Sequence, residues 1–193
     1  MKSILKKGLF ALVLAGLFTA CSKADESSSK VQNYMQGGDR KAEIKEGFIG
    51  NSEEPAGSGI TWREQVLSFV SPGLSLVYTS GDVDTDKSSG VGDACAIYIT
   101  TLNKEIVPGT YQFGTSDDKS LIVEGTYMQD YDVVESGKHE GGIAAYKGTI
   151  TKGVVRIEKR DSNYTIEVNG ECTDKKGVVK MLTLRYQGSL RAF

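Results

Sequence analysis

Histidine is almost missing from this sequence: His139 is the only one in 193 residues. Proline is scarce at 3, and Trp62 is the single tryptophan. Basic residues are not in excess, and after residue 20 no apolar run is long enough for a membrane helix. Each shortage excludes something. One histidine cannot assemble a His-based metal site, and there is no HExxH pattern. No GxSxG elbow is present to go with a His-dependent triad. His139 itself sits in Glu135-Ser136-Gly137-Lys138-His139-Glu140-Gly141-Gly142, which reads as an exposed, charged loop. Nucleic-acid binding requires a positive footprint that neutralises phosphates, and no basic stripe exists.

The first twenty residues are of a different kind. Lys2, Lys6 and Lys7 precede an apolar run from Gly8 to Ala20. At ~1.5 Å rise per residue this run is too short to cross a ~30 Å hydrocarbon core, and has the length of a signal-peptide core. It ends Leu17-Phe18-Thr19-Ala20-Cys21, which resembles the bacterial lipobox, with Phe18 where Leu is more usual. The resemblance implies cleavage before Cys21 and its acylation. Two or more acyl chains, each buried CH₂ contributing ~0.8 kcal/mol, make a stable anchor. The expected organisation is a signal peptide over 1–20, a lipidated Cys21 with a flexible tether over 21–42, and an all-β domain over 43–193. Ser22, Lys23, Asp25 and Glu26, just behind the cysteine, resemble the surface-export signals of Bacteroidetes lipoproteins. The expected location is the outer membrane, lipid-anchored, with surface exposure the open extension. Removing the leader takes three of the 23 basic residues, so 20 face 25 acidic ones and the mature chain carries −5.

Cys95 and Cys172 are the cysteines left over. In an oxidising compartment they form either a disulfide or two separate buried thiols, and the sequence leaves both readings open.

From Ile60 onward the hydrophobic period is two. Strand candidates are Trp62–Val70, Leu74–Tyr78, Ala94–Thr100, Thr110–Phe113, Leu121–Tyr127, Ala145–Ile150, Val154–Lys159, Tyr164–Asn169 and Val178–Tyr186. Their connectors, among them Pro72-Gly73, Lys152-Gly153 and Asp161-Ser162-Asn163, are short and rich in turn formers, which makes antiparallel neighbours. No amphipathic helix stands out. The expectation is an antiparallel β-sandwich or small barrel built of hairpins. Pro108-Gly109-Thr110-Tyr111-Gln112-Phe113, Gly125-Thr126-Tyr127, Tyr146-Lys147-Gly148-Thr149-Ile150-Thr151 and Tyr186-Gln187-Gly188-Ser189-Leu190 resemble a broad group of uncharacterised Bacteroidetes lipoproteins with all-β domains. These are turn and strand residues, so the resemblance implies fold and no catalytic residue.

Two features point to chemistry. Asp82, Asp84, Asp86 and Asp93 fall at positions one, three, five and twelve of an EF-hand-like loop and are the Ca²⁺ candidates. Lys87 stands where that loop has Gly, so a solvated turn is the competing reading. Trp62, with the tyrosines, is the candidate stacking platform for a sugar or peptide ligand. Taken together, the chain reads as a non-catalytic binding or interaction module for a glycan or a partner protein. A structural or assembly subunit of a surface or secretion complex is the first alternative. A carboxylate-dependent hydrolase is the second.

Overall fold

The computed structural model describes residues 32–55, 61–79, 82–102, 107–117, 120–138 and 143–193. Cys21 and His139 lie outside the described residues. Alternating strand formers dominate this span, and the fold is nearly all β. In chain order the strands are β1 (Tyr34–Gly37), β2 (Arg40–Glu43), β3 (Glu46–Pro55), β4 (Thr61–Val70), β5 (Leu74–Ser75), β6 (Tyr78–Thr79), β7 (Asp82–Val83) and β8 (Ser89–Leu102). After them come β9 (Gly109–Gln112), β10 (Gly114–Thr115), β11 (Leu121–Asp132), the short helix α1 (Val133–Lys138), β12 (Tyr146–Arg160), β13 (Asn163–Asp174), β14 (Val179–Ser189) and β15 (Arg191–Ala192).

Thirteen of these strands form one sheet with the path β15-β3-β4-β8-β11-β12-β13-β14-β1-β2. All pairings are antiparallel except β15 on β3, which makes the sheet mixed. The sheet curls into a half-barrel. Period-two alternation explains the curl: the inward residues of every long strand meet in one core. Leu67 and Phe69, Ile97 and Ile99, Val123 and Tyr127, Ile166 and Val168, and Leu182 and Leu184 are all fully or almost fully buried there. Each such side chain contributes about 1.5–3 kcal/mol by leaving water.

Three boundaries differ from the sequence expectation. The folded body begins at β1 and β2, within the stretch read as tether. Gly38, at φ +62°, turns a hairpin whose strands pair Tyr34 with Glu43 and Gly37 with Arg40. Lys152-Gly153 is no connector. Residues 146–160 are one strand, in which Lys152 and Gly153 pair with Glu171 and Gly170 and the bulge falls one residue earlier, at Thr151. Leu74–Tyr78 is no single strand either: it splits into β5 and β6, and Leu74 and Leu76 cover the outside of the sheet instead.

That covering forms a second, smaller core. Phe48, Val70, Leu74, Leu76, Ala94 and Val133 are buried together on the outer face, with Tyr78, Met128, Tyr131 and Phe193 packed beside them. A two-residue loop, Asp161–Ser162, joins β12 to β13, with Asp161 at φ +55°. Hairpin loops of this length require positive φ, which glycine adopts without strain. Asp161→Gly is therefore expected to stabilise the domain by about 0.5–1 kcal/mol, read as a raised urea midpoint. An unchanged or lowered midpoint would contradict this reading of the turn.

A polar cluster fastens the β1–β2 hairpin to the ends of β8 and β11. The Arg40 guanidinium donates from Nε and Nη2 to both carboxylate oxygens of Asp93, at 3.0 and 2.8 Å. It also donates from Nη1 and Nη2 to both oxygens of Asp130, at 2.9 and 2.7 Å. The Asp93 side chain is fully buried, while those of Arg40 and Asp130 are nearly half exposed. A bulge between Met128 and Tyr131 puts Asp130 at φ +49°, and its backbone N–H donates to Asp93.

Candidate ligand-binding groove

Strands β4, β8 and β11 are apolar on both faces. Before the bulge between Met128 and Tyr131, their odd-numbered residues fill the half-barrel. Their even-numbered residues face the other way and form the floor of a groove of about 490 Å³. Val66, Ala96 and Met128 supply the apolar floor. The segment after Pro72 folds back over one side and brings Leu76, Tyr78 and Val83 to the wall. Thr126, Glu64 and Lys147 add polar groups. A pocket of this size, about half apolar and carrying several polar groups, is a candidate small-molecule site.

Aromatic rings give the groove its character. Phe193 lies flat on Tyr78, with centroids 3.9 Å apart and planes 10° apart, and Phe48 packs tilted against Tyr78 at 5.1 Å. Gly50 permits this arrangement, since a Cβ there would lie 2.1 Å from the Phe193 ring. Tyr78 is thus a fixed wall rather than an open platform. Burial pushes its phenol above the usual range, a hydrogen bond with Ser68 pulls the other way, and the hydroxyls of Tyr98 and Tyr131 add to the rise. Tyr78, Tyr98 and Tyr131 all line the groove, contributed by the covering segment, by β8 and by the end of β11.

The residues singled out from sequence are placed as follows. Trp62 lies on β4, half-buried, two and four residues before Glu64 and Val66 and on the same face. It extends the groove's face without lining the groove itself. Asp84 accepts hydrogen bonds from Lys87 Nζ at 2.7 Å and from Thr79 at 3.0 Å, and these hold its carboxyl below the usual range. Asp93 is occupied by Arg40, so the structure commits Asp84 and Asp93 to different partners. Asp82 lies in β7 and Asp86 is exposed. Among the described residues, no three His, Cys, Asp or Glu side chains converge as a metal site would need.

Cys95 and Cys172 are both in the interior core as free thiols, with no bond between them. Burial pushes Cys172 up to about 12, and raises Cys95, to which nearby Cys172 adds. Burial also pushes the Tyr146 phenol up to about 12. All are neutral groups kept neutral, with folded pKa values above the unfolded ones. The stability they contribute is complete below the unfolded values, about 8.5 for Cys and about 10 for Tyr. It is lost as pH rises toward about 12. The urea midpoint is expected to be flat from pH 6 to 8 and to fall steeply above about pH 9. In a Cys95→Ala/Cys172→Ala double variant the fall should begin later, because only tyrosines then titrate. An identical onset in both proteins would show that the thiols take no part.

The sequence offers the tyrosines only as a set, without distinguishing Tyr98 and Tyr131, and does not single out the groove residue Met128. One signal was present: strands apolar on both faces are covered on both faces. Val66, Val70, Ala94 and Ala96, opposite the interior positions, carry it.

No protein-family model matches this chain, and comparison with curated proteins and with solved structures finds no match.

Proposed function

We propose that this chain is a lipid-anchored envelope lipoprotein whose all-β domain is a non-catalytic binding module, with the outer-face groove as the site that meets its ligand, a glycan or a partner protein. The groove carries the binding reading: it is sizeable, half-apolar and lined by rigidly held rings. The membrane reading rests on Leu17–Cys21 and the polar stretch behind it, together with the resemblance to outer-membrane lipoproteins of Bacteroidetes. The two alternatives draw less from the geometry. A hydrolase working through paired carboxylates needs two, and Glu64 is the one acidic residue among the described groove-lining residues. An assembly subunit that adds strands favours a long terminal strand, whereas β15 and β2, which end the strand order, are two and four residues long and exposed in most positions.

Two experiments test the proposal. Mass spectrometry of the mature protein is expected to show an acylated N-terminal Cys21, and Cys21→Ala is expected to move the protein entirely from the membrane to the soluble fraction. An unmodified Cys21 would remove the anchor. Separately, the folded domain is expected to enhance the fluorescence of 1-anilinonaphthalene-8-sulfonate, and Ala96→Phe, which fills the groove floor, is expected to abolish the enhancement. Equal enhancement by both proteins would place dye binding elsewhere and sink the groove.

A further inference from the structure

One row of the groove floor is made of small side chains. In register across the sheet, Ser68 of β4 pairs with Ala96 of β8, and Ala96 pairs with Thr126 of β11. Directly paired residues point to the same face, so the three line up across the strands. Larger side chains border them, Val66 and Tyr98 on one side, Val70 and Met128 on the other. The result is a trench. One end is shut: Phe48, the β3 partner of Ser68, is buried and packs against Tyr78. The other end is open, since the β12 partner of Thr126 is the exposed Thr149. From Ser68 to Thr149 the row crosses three strand spacings of ~4.8 Å, about 14 Å in all. The polar side chains of the lining are largely spoken for. Glu64, Ser68, Tyr78, Tyr98, Tyr131 and Lys147 already have partners within the protein. A sugar or a peptide backbone laid on this floor would give up water with few hydrogen bonds in return, which is unfavourable. A hydrocarbon chain has no hydrogen bonds to give up, and a trench one side chain wide suits a linear chain better than a fused ring.

We infer that the trench over Ser68, Ala96 and Thr126 takes the alkyl tail of an amphiphile, with the tail end toward Phe48 and the head group in solvent beside Thr149. This rests on the reading of the groove as the ligand site and specifies the part of the ligand that enters it. The floor can be reached, because Ala96, Thr126 and Met128 are only half-buried. The head group stays outside, because Glu64 and Lys147, the acid and the base of the described lining, are both engaged within the protein. Affinity then comes from the apolar area that the tail removes from water.

The test uses the Cys21→Ala protein, whose own N-terminus carries no acyl chain to compete. Displacement of the naphthalene dye is measured with hexanol, octanol and decanol. Affinity is expected to rise about fourfold per added CH₂. Decyl maltoside, below its micelle-forming concentration, is expected to compete as decanol does, and maltose not at all. Ala96→Phe and Thr126→Phe each block the row and are expected to weaken decanol binding roughly tenfold or more. Thr126 is half-buried, so its variant keeps the test open if Ala96→Phe does not fold. If either variant abolishes dye binding but alkanol affinity does not grow with chain length, the alkyl assignment is overturned and the groove reading stands. If decanol competes and decyl maltoside does not, the placement of tail inside and head outside falls. If both variants bind decanol as wild type does, the trench is not the site. If the dye itself does not bind, the groove reading falls and the alkyl assignment falls with it.

Discussion

Replacing Arg40 by methionine is expected to destabilise the domain by about 3–5 kcal/mol, a loss of about 10 °C or more in melting temperature. The reason lies in who is left behind. Asp130 is nearly half exposed and can turn to water. Asp93 cannot: its side chain is fully buried, and Arg40 is the cation it faces. Without the guanidinium, its carboxylate keeps, among the described residues, the Asp130 N–H at 3.1 Å and a long contact from the Tyr127 hydroxyl at 3.4 Å. An uncompensated buried charge is among the costliest defects a single substitution can make. Arg40→Lys should recover only part of the loss, because an ammonium cannot reach both carboxylates with the planar fork. The contrast that identifies the mechanism is the double variant Arg40→Met/Asp93→Leu, which removes both charges. It is expected to be more stable than Arg40→Met alone, by 1 kcal/mol or more, in urea unfolding followed by far-UV circular dichroism. If the two changes simply add, the buried charge is not what makes Arg40 matter.

This cluster also shows what was legible in the sequence and what was not. Period-two alternation located the long strands: Tyr164, Ile166 and Val168 do alternate inward, and Ile166 and Val168 pair with Tyr186 and Leu184 of the alternating β14. The all-β class followed from that alternation and from Gly-rich punctuation. The partners that sit far apart in sequence were hidden. Asp93 was read as the end of a calcium loop because Asp82, Asp84 and Asp86 precede it, whereas its carboxylate meets Arg40, 53 residues earlier. No local pattern encodes such a pair; it arises from the way the curl brings β2 to β8. The groove was hidden for a related reason. Its floor comes from β4, β8 and β11 and its wall from residues after Pro72, so nothing along the chain announces it. Glycines were the third difficulty. Lys152-Gly153 reads as a turn, yet it lies inside a continuous strand, whereas Gly38 does turn a hairpin.

Gly153→Ala is expected to cost about 3 kcal/mol or more, and the reason is two effects acting on one atom. The residue has φ +122°, a conformation in which an L side chain is strained by roughly 1–3 kcal/mol. It also pairs with Gly170 on β13, and a Cβ at position 153 would lie 2.1 Å from the Asn169 carbonyl oxygen and 2.4 Å from the Gly170 Cα. Those are backbone atoms, which cannot swing aside as a side chain tip would. Relief would require β12 and β13 to part at the point where β12 exchanges one neighbour for another. Tyr146 to Thr149 pair with β11, and Val154 to Ile157 pair with β9. Gly153 lies between those two pairings, and its carbonyl accepts from the Phe113 N–H at 3.0 Å. Gly177 provides the control. It too has positive φ, at +80°, but a Cβ there meets nothing within 4 Å. Gly177→Ala should therefore show strain alone, about 1 kcal/mol. A Gly153→Ala loss well above that of Gly177→Ala, measured by urea unfolding of both proteins, means that the close approach of two strands selects glycine at position 153. Equal losses would mean that backbone conformation is the whole cause, and that β13 can retreat far enough to admit a methyl group without disturbing the exchange of β11 for β9.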